Sequence, residues 1–223
     1  MFESKYSKVL TVILVIVIIA IIGLLGFLGY DYYQKVSKSN DAANFVNNYQ
    51  NEENEENEEP KKNEKEEVVN NPFEQIKDTQ QTTTNGKNNK KTYKGFTTVG
   101  TIEIPKTNVK APILEKLTRS SLETSVVFLT GNGINQPGNS VIIGHNYRNG
   151  MFFSNNKKLK NGDKIYVTDE SGKKLTYTIY KKFEATADDT SFYQRDTAGK
   201  PEITLSTCTD NSKARLIIFA KVD

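Results

Sequence analysis

Twenty consecutive uncharged residues, Val9 to Leu28, constrain this chain more than any other feature. Nearly all are Val, Ile, Leu, Gly, Ala or Phe. A helix of that length spans about 30 Å, the thickness of a bilayer's hydrocarbon core. A cleaved secretory signal carries an apolar stretch of only about 7–15 residues, followed by a small-x-small site. The run here is longer, and Gly29-Tyr-Asp-Tyr-Tyr33 offers no such site. Tyr30, Tyr32 and Tyr33 suit an interfacial aromatic belt instead. The reading is a transmembrane signal anchor over residues 1–39, with a cytoplasmic tip and a span near 9–28. Lys5 and Lys8 precede the span, and Lys35 and Lys38 follow it. Flanking charge therefore gives the span no clear direction.

The chemistry changes abruptly after the anchor. Residues 40–94 hold 12 acidic and 8 basic residues and include the run Asn51-Glu-Glu-Asn-Glu-Glu-Asn-Glu-Glu59. With so little apolar surface to bury, nothing would offset the entropy lost on ordering, so this stretch is expected to be a disordered polar linker. Residues 95–223 hold 18 basic and 13 acidic residues and are the part able to form a core. Over the whole chain, 30 basic residues face 27 acidic ones. That balance lacks the basic excess of a nucleic-acid binder, so no nucleic-acid partner is expected. One cysteine excludes an intrachain disulfide and a multi-cysteine zinc site, and one histidine excludes chemistry that needs two.

The third segment reads as β. Strand candidates are Val99–Ile104, Ala111–Leu114, Val126–Leu129, Ser140–His145, Lys164–Thr168, Lys174–Phe183, Glu202–Cys208 and Arg215–Val222. Asp169-Glu-Ser-Gly172 is a hairpin turn, and Ser120 to Ser125 a candidate helical turn. Eight short strands in so few residues imply a small closed barrel or a sandwich.

Side chains alternate along a strand. On Glu202–Cys208 this puts Ile203, Leu205 and Thr207 on one face, and Thr204, Ser206 and Cys208 on a polar one. A lone cysteine is commonly a small buried hydrophobe, but this face argues otherwise. The loop Thr209 to Ala214 is short enough for a hairpin, which sets Cys208 opposite Arg215. An arginine beside a cysteine stabilises a thiolate or an anion developing nearby. His145 ends the apolar run from Val141. A lone histidine at a strand end is more often structural, yet a cysteine nucleophile needs an imidazole to move protons. One Cys, one His and one Arg at strand ends make a minimal acyl-transfer kit.

These residues resemble a known family. Thr204-Leu-Ser-Thr-Cys208 is similar to the Thr-Leu-x-Thr-Cys signature of sortases. Gly144-His145 resembles their histidine motif, Arg215 their active-site arginine, and Gly100-Thr-Ile-Glu-Ile-Pro105 their opening strand. The resemblance implies a closed eight-stranded β-barrel with short helices over 95–223. It implies a cysteine transpeptidase that cleaves a C-terminal Leu-Pro-x-Thr-Gly-type sorting signal through a thioacyl-enzyme. In that role Cys208 attacks, His145 transfers protons, and Arg215 holds substrate and steadies the oxyanion. Thr207 and Asn146 are expected at the substrate. The expected partners are signal-bearing surface proteins and an amino group of a lipid-linked cell-wall precursor or of a pilin. The barrel is expected outside the membrane of a Gram-positive bacterium, with the N-terminus in the cytoplasm.

The branch stays open. His145-Asn146, Asn149-Gly-Met-Phe152 and the serine of the pentapeptide look like class B sortases. The short Ala185–Pro201 segment looks more like classes A, D or E. No cofactor is expected. No calcium site is expected either, because Lys106, Asn108 and Ala111 stand where some class A members carry acids. Two other readings remain: a different cysteine enzyme, such as an L,D-transpeptidase or a protease, and a non-catalytic anchored extracellular binding module.

Overall fold

The computed structural model describes residues 3–51 and 90–222. Helix α1, Glu3–Asn51, leads into nine strands and a short helix. The strands are β1 (Thr92–Tyr93), β2 (Phe96–Ile104), β3 (Val109–Leu114), β4 (Val126–Thr130), β5 (Gly138–Ile143), β6 (Lys164–Asp169), β7 (Lys174–Thr186), β8 (Pro201–Cys208) and β9 (Ala214–Val222). Helix α2 is Arg119–Thr124. Thr118 caps it, accepting a hydrogen bond from the Ser121 amide, while Ser121 Oγ accepts from the Thr118 amide. All eight strand candidates and the helical turn are present.

The sheet order is β1-β2-β3-β4-β5-β8-β9-β7-β6, and β2 also pairs with β6. The eight strands β2 to β9 therefore close into a barrel, with β1 added outside. Most neighbours are antiparallel; β3–β4 and β5–β8 are parallel. Closure removes the open edges a sheet would otherwise expose. Inside lie fully buried Ile102, Ile104, Phe153, Ile165, Tyr177, Leu205 and Ile218 among others. The Tyr177 hydroxyl donates to Asn135 Oδ1 at 2.9 Å, which satisfies a buried polar group. Burial pushes that phenol far above its ordinary range.

The boundary expected at residue 39 is not where the helix ends. α1 runs on to Asn51 and lies along the barrel wall. Ala42, Val46 and Tyr49 recur at helical spacing and are buried. Ala42 packs with Tyr93, Leu114 and Val127, with Phe45 at the rim of the cluster. The Phe45 ring meets Tyr93 edge-on at 5.1 Å. Asp41 pairs with Lys94, and Asn47 accepts a hydrogen bond from Lys110. A polar average hid this narrow stripe. The linker's other described end, Thr92–Tyr93, pairs with β2. The rest of the expected linker, residues 52–89, lies outside the described residues, as do Met1 and Phe2 of the tip. Helix α1 is long and apolar enough to cross a membrane, its most apolar 18-residue window having a mean hydropathy of 3.3.

Candidate active site

β5 and β8 run parallel and carry the site at their C-terminal ends. Beyond β5, the Gly144 amide still bonds the Ser206 carbonyl at 3.2 Å, so His145 leaves the sheet at a fixed height. Gly144 has no room for a side chain: a β-carbon there would lie 2.8 Å from Phe153 Cδ2 and 3.0 Å from Val126 Cγ1. The Thr207 hydroxyl donates to the Gly144 carbonyl at 2.7 Å and ties the histidine strand to the cysteine strand.

β8 ends at Cys208, β9 starts one residue before Arg215, and the two side chains are register partners, as the hairpin reading expected. Arg215 Nη1 donates to Cys208 Sγ at 3.1 Å. A cationic donor thus lies against the atom that would carry negative charge during attack. A cavity of about 380 Å³ is lined by Cys208, Arg215 and His145 together, with apolar Leu117, Leu122 and Ile143 on one wall. Its volume lies within the usual range for ligand pockets. No hydrogen bond joins His145 to Cys208 among the described residues; they share the groove. The imidazole packs on Tyr147, ring centroids 4.6 Å apart. Burial holds the His145 pKa below the ordinary imidazole value, and the Glu123 carboxylate opposes that.

The two residues expected at substrate have other work. Asn146 Nδ2 donates to the Cys208 carbonyl at 2.9 Å and to Asp210 Oδ1 at 3.0 Å. Its Oδ1 accepts from the Arg148 amide at 3.1 Å. Lys157 Nζ bonds the other Asp210 oxygen at 2.6 Å. The Asp210 carboxyl is held below its usual range, chiefly by Lys157 and then by Asn146. Asn146 lines the neighbouring cavity rather than the groove with His145. It braces the turn out of β8, because its amide group is held by the Cys208 carbonyl at the strand end and by Asp210 in the loop. Thr207 lines the groove, but its hydroxyl is turned to Gly144 and the residue is buried.

The polar face of β8 is covered. Thr204 and Ser206 are buried under the loop between β7 and β8. Arg195 in that loop forms a 2.7 Å ion pair with Glu202, bonds Thr204 Oγ1 at 2.6 Å, and lies 3.9 Å over the Phe219 ring. Thr204 Oγ1 donates to Asn139 Oδ1 at 2.9 Å, and Asn139 Nδ2 donates to the Tyr193 carbonyl at 2.8 Å. Phe192 packs on Phe183 at 5.4 Å, whereas Tyr193 lines the groove. Sequence reasoning gave Arg195 and Asn139 no role. Neither sits in a motif, and although their shared partner Thr204 is nine residues from Arg195, it is 65 from Asn139. Among the described residues, no group of three or more His, Cys, Asp or Glu is placed to hold a metal ion.

A family model described as the Sortase domain matches residues 102–223, more than half of the chain. Sortase A of Bacillus anthracis is 33% identical over 123 residues, which cover 53% of this chain and 57% of that protein. The chain spans about half the length of the curated relatives it matches. Among solved structures, Sortase A from Corynebacterium diphtheriae aligns with a TM-score of 0.52 and 28% identity, covering 57% of this chain and 61% of that one. A Clostridium perfringens Sortase D5 transpeptidase aligns with a TM-score of 0.52 and 29% identity, covering 57% of this chain and 79% of that one.

Proposed function

This chain belongs to the sortase family, and from that premise we propose that it is a membrane-anchored cysteine transpeptidase, a thiol endopeptidase that also rejoins. Its substrates are surface proteins bearing a C-terminal Leu-Pro-x-Thr-Gly-like signal. The observation that carries the reading is the 3.1 Å contact of Arg215 with Cys208 Sγ in a groove that His145 also lines.

The chemistry proceeds in two halves. His145 accepts the Cys208 thiol proton, Cys208 Sγ attacks the carbonyl carbon of the signal's Thr–Gly bond, and Arg215 turns from the sulfur to the developing oxyanion. The tetrahedral species collapses, the C–N bond breaks, and His145 gives a proton to the departing amine. A thioacyl-enzyme remains. An incoming primary amine then attacks the thioester carbonyl, and His145 accepts its proton. The C–S bond breaks, restoring Cys208 and leaving a new amide. The acceptor is an amine of a lipid-linked cell-wall precursor or a pilin lysine. α1 is the single-pass anchor, with its N-terminus cytoplasmic and the barrel outside.

The test is adduct formation. Full-length protein incubated with a Leu-Pro-x-Thr-Gly peptide should gain the mass of the acyl fragment, and Cys208→Ala should gain nothing. An adduct that survives Cys208→Ala overturns the reading. A panel of x residues and Asn-Pro-x-Thr variants, with diglycine as acceptor, would define the signal.

A further inference from the structure

The way α1 docks fixes which end of the barrel meets the lipid. Lys35 is seven positions beyond Leu28, the end of the apolar run, or about 10 Å along the helix. Lys35 lies against the barrel: its Nζ is 3.5 Å from the place a β-carbon on Gly150 would occupy. Gly150 belongs to the loop that follows His145. Further along, Lys91 bonds the Tyr49 carbonyl at 3.3 Å, and its neighbour Lys90 reaches Glu170 in the turn between β6 and β7. That turn is at the opposite end of the barrel from Cys208. α1 therefore runs down the wall from the catalytic end to the far end, and the apolar run leaves from the catalytic end.

The surface chemistry of that end agrees. Outside α1, Leu117 (47% exposed) and Tyr147 (42% exposed) are the exposed large apolar side chains among the described residues. Both flank His145. Exposed Lys116, Arg119 and Arg148 are their immediate neighbours in sequence or one turn away. Leucine and tyrosine interleaved with basic residues are the composition of a surface that meets a headgroup layer. That layer is about 5–8 Å deep on each side of the hydrocarbon, so a rim held about 10 Å above the core abuts it.

We infer that α1 is a rigid strut holding the catalytic rim of the barrel face-down on the bilayer that anchors it, with Leu117 and Tyr147 at the lipid headgroups. The groove then opens toward the membrane surface rather than away from it. This rests on the anchor reading above. The occupant of the patch is the outer headgroup layer; a protein partner or peptide seated there is the competing outcome.

The experiment uses full-length Cys208→Ala protein in nanodiscs of phosphatidylglycerol and phosphatidylcholine without peptide. A bimane probe is placed at exposed Ser120 on the rim (Ser120→Cys) or at exposed Ser171 in the far turn (Ser171→Cys). A nitroxide on the lipid headgroup should quench the Ser120 probe severalfold more than the Ser171 probe, since the docked part of α1 separates the two ends by about 21 Å. Equal quenching, or stronger quenching at Ser171, overturns the inference. A third probe at Phe27, read against an acyl-chain nitroxide, separates the two failures. If Phe27 is quenched while the other two are equal, the orientation alone is wrong. An unquenched Phe27 sinks the anchor and the orientation together.

Discussion

At the residue scale the site is three side chains whose separate environments matter more than their identities. His145 is the chain's single histidine, so one imidazole C–H resonance reports it without assignment. Its folded pKa is depressed, chiefly by burial. The fold therefore disfavours the charged ring, and the stability this residue contributes is present above the ordinary imidazole pKa and lost as pH falls below it. NMR titration should give a midpoint below about 6.5, the ordinary imidazole pKa. Glu123→Gln should move the midpoint lower still, because its carboxylate is the group that raises it. Asn146 is a positioning residue on this geometry. Asn146→Ala removes donors to the Cys208 carbonyl and Asp210, and at about 1 kcal/mol for each bond, about 2 kcal/mol together, kcat should fall about thirtyfold. KM should change little; a KM rise with kcat intact would return Asn146 to the substrate. Cys208, His145 and Arg215 were legible as residue types at strand ends. The work of Asn146 was not, because its partners lie 62 and 64 residues away.

At the scale of elements, the loop between β7 and β8 behaves as a lid nailed to β8 rather than as a tether. Arg195 holds it through Glu202, Thr204 and the face of Phe219. The pair is largely buried, with side chains 16% and 13% exposed. Arg195→Met leaves the Glu202 carboxylate without its cation, with the Tyr180 hydroxyl still donating to it, and should cost about 2 kcal/mol of stability by thermal or denaturant unfolding. Tyr193 would lose its fixed place in the groove, so KM for the signal peptide should rise and loop amides should exchange faster. A variant with unchanged KM would mean the loop keeps its shape without the arginine. Alternation along β8 was readable as a pattern. What covers that polar face was not readable, since a loop folded back over Thr204 and Ser206 leaves no trace in strand periodicity.

For the whole molecule, the consequential element is the part of α1 beyond the apolar run. Ala42 and Phe45 pack over Leu114 and Val127 in a cluster that reaches Leu122 and Ile143 at the back of the groove, and Val46, one turn beyond Ala42, is fully buried. Val46→Asp places a charge in an apolar seam, which should release α1 from about residue 41 onward while the closed barrel persists. Hydrogen exchange would show it: fast exchange over 41–49 and little change in β5, β8 and β9. Protection retained over 41–49 would show that the seam does not depend on Val46. The sequence by itself determined the apolar span, the eight strands, and the pairing of Cys208 with Arg215. Each of these is local, set by composition, by period-2 patterning, or by one short hairpin. Only the tertiary structure decided which end of the barrel the helix leaves from, what covers β8, and what Asn146 holds. Those depend on contacts between segments far apart in the chain, where an ordinary polar residue acquires its role from a partner that no local pattern announces.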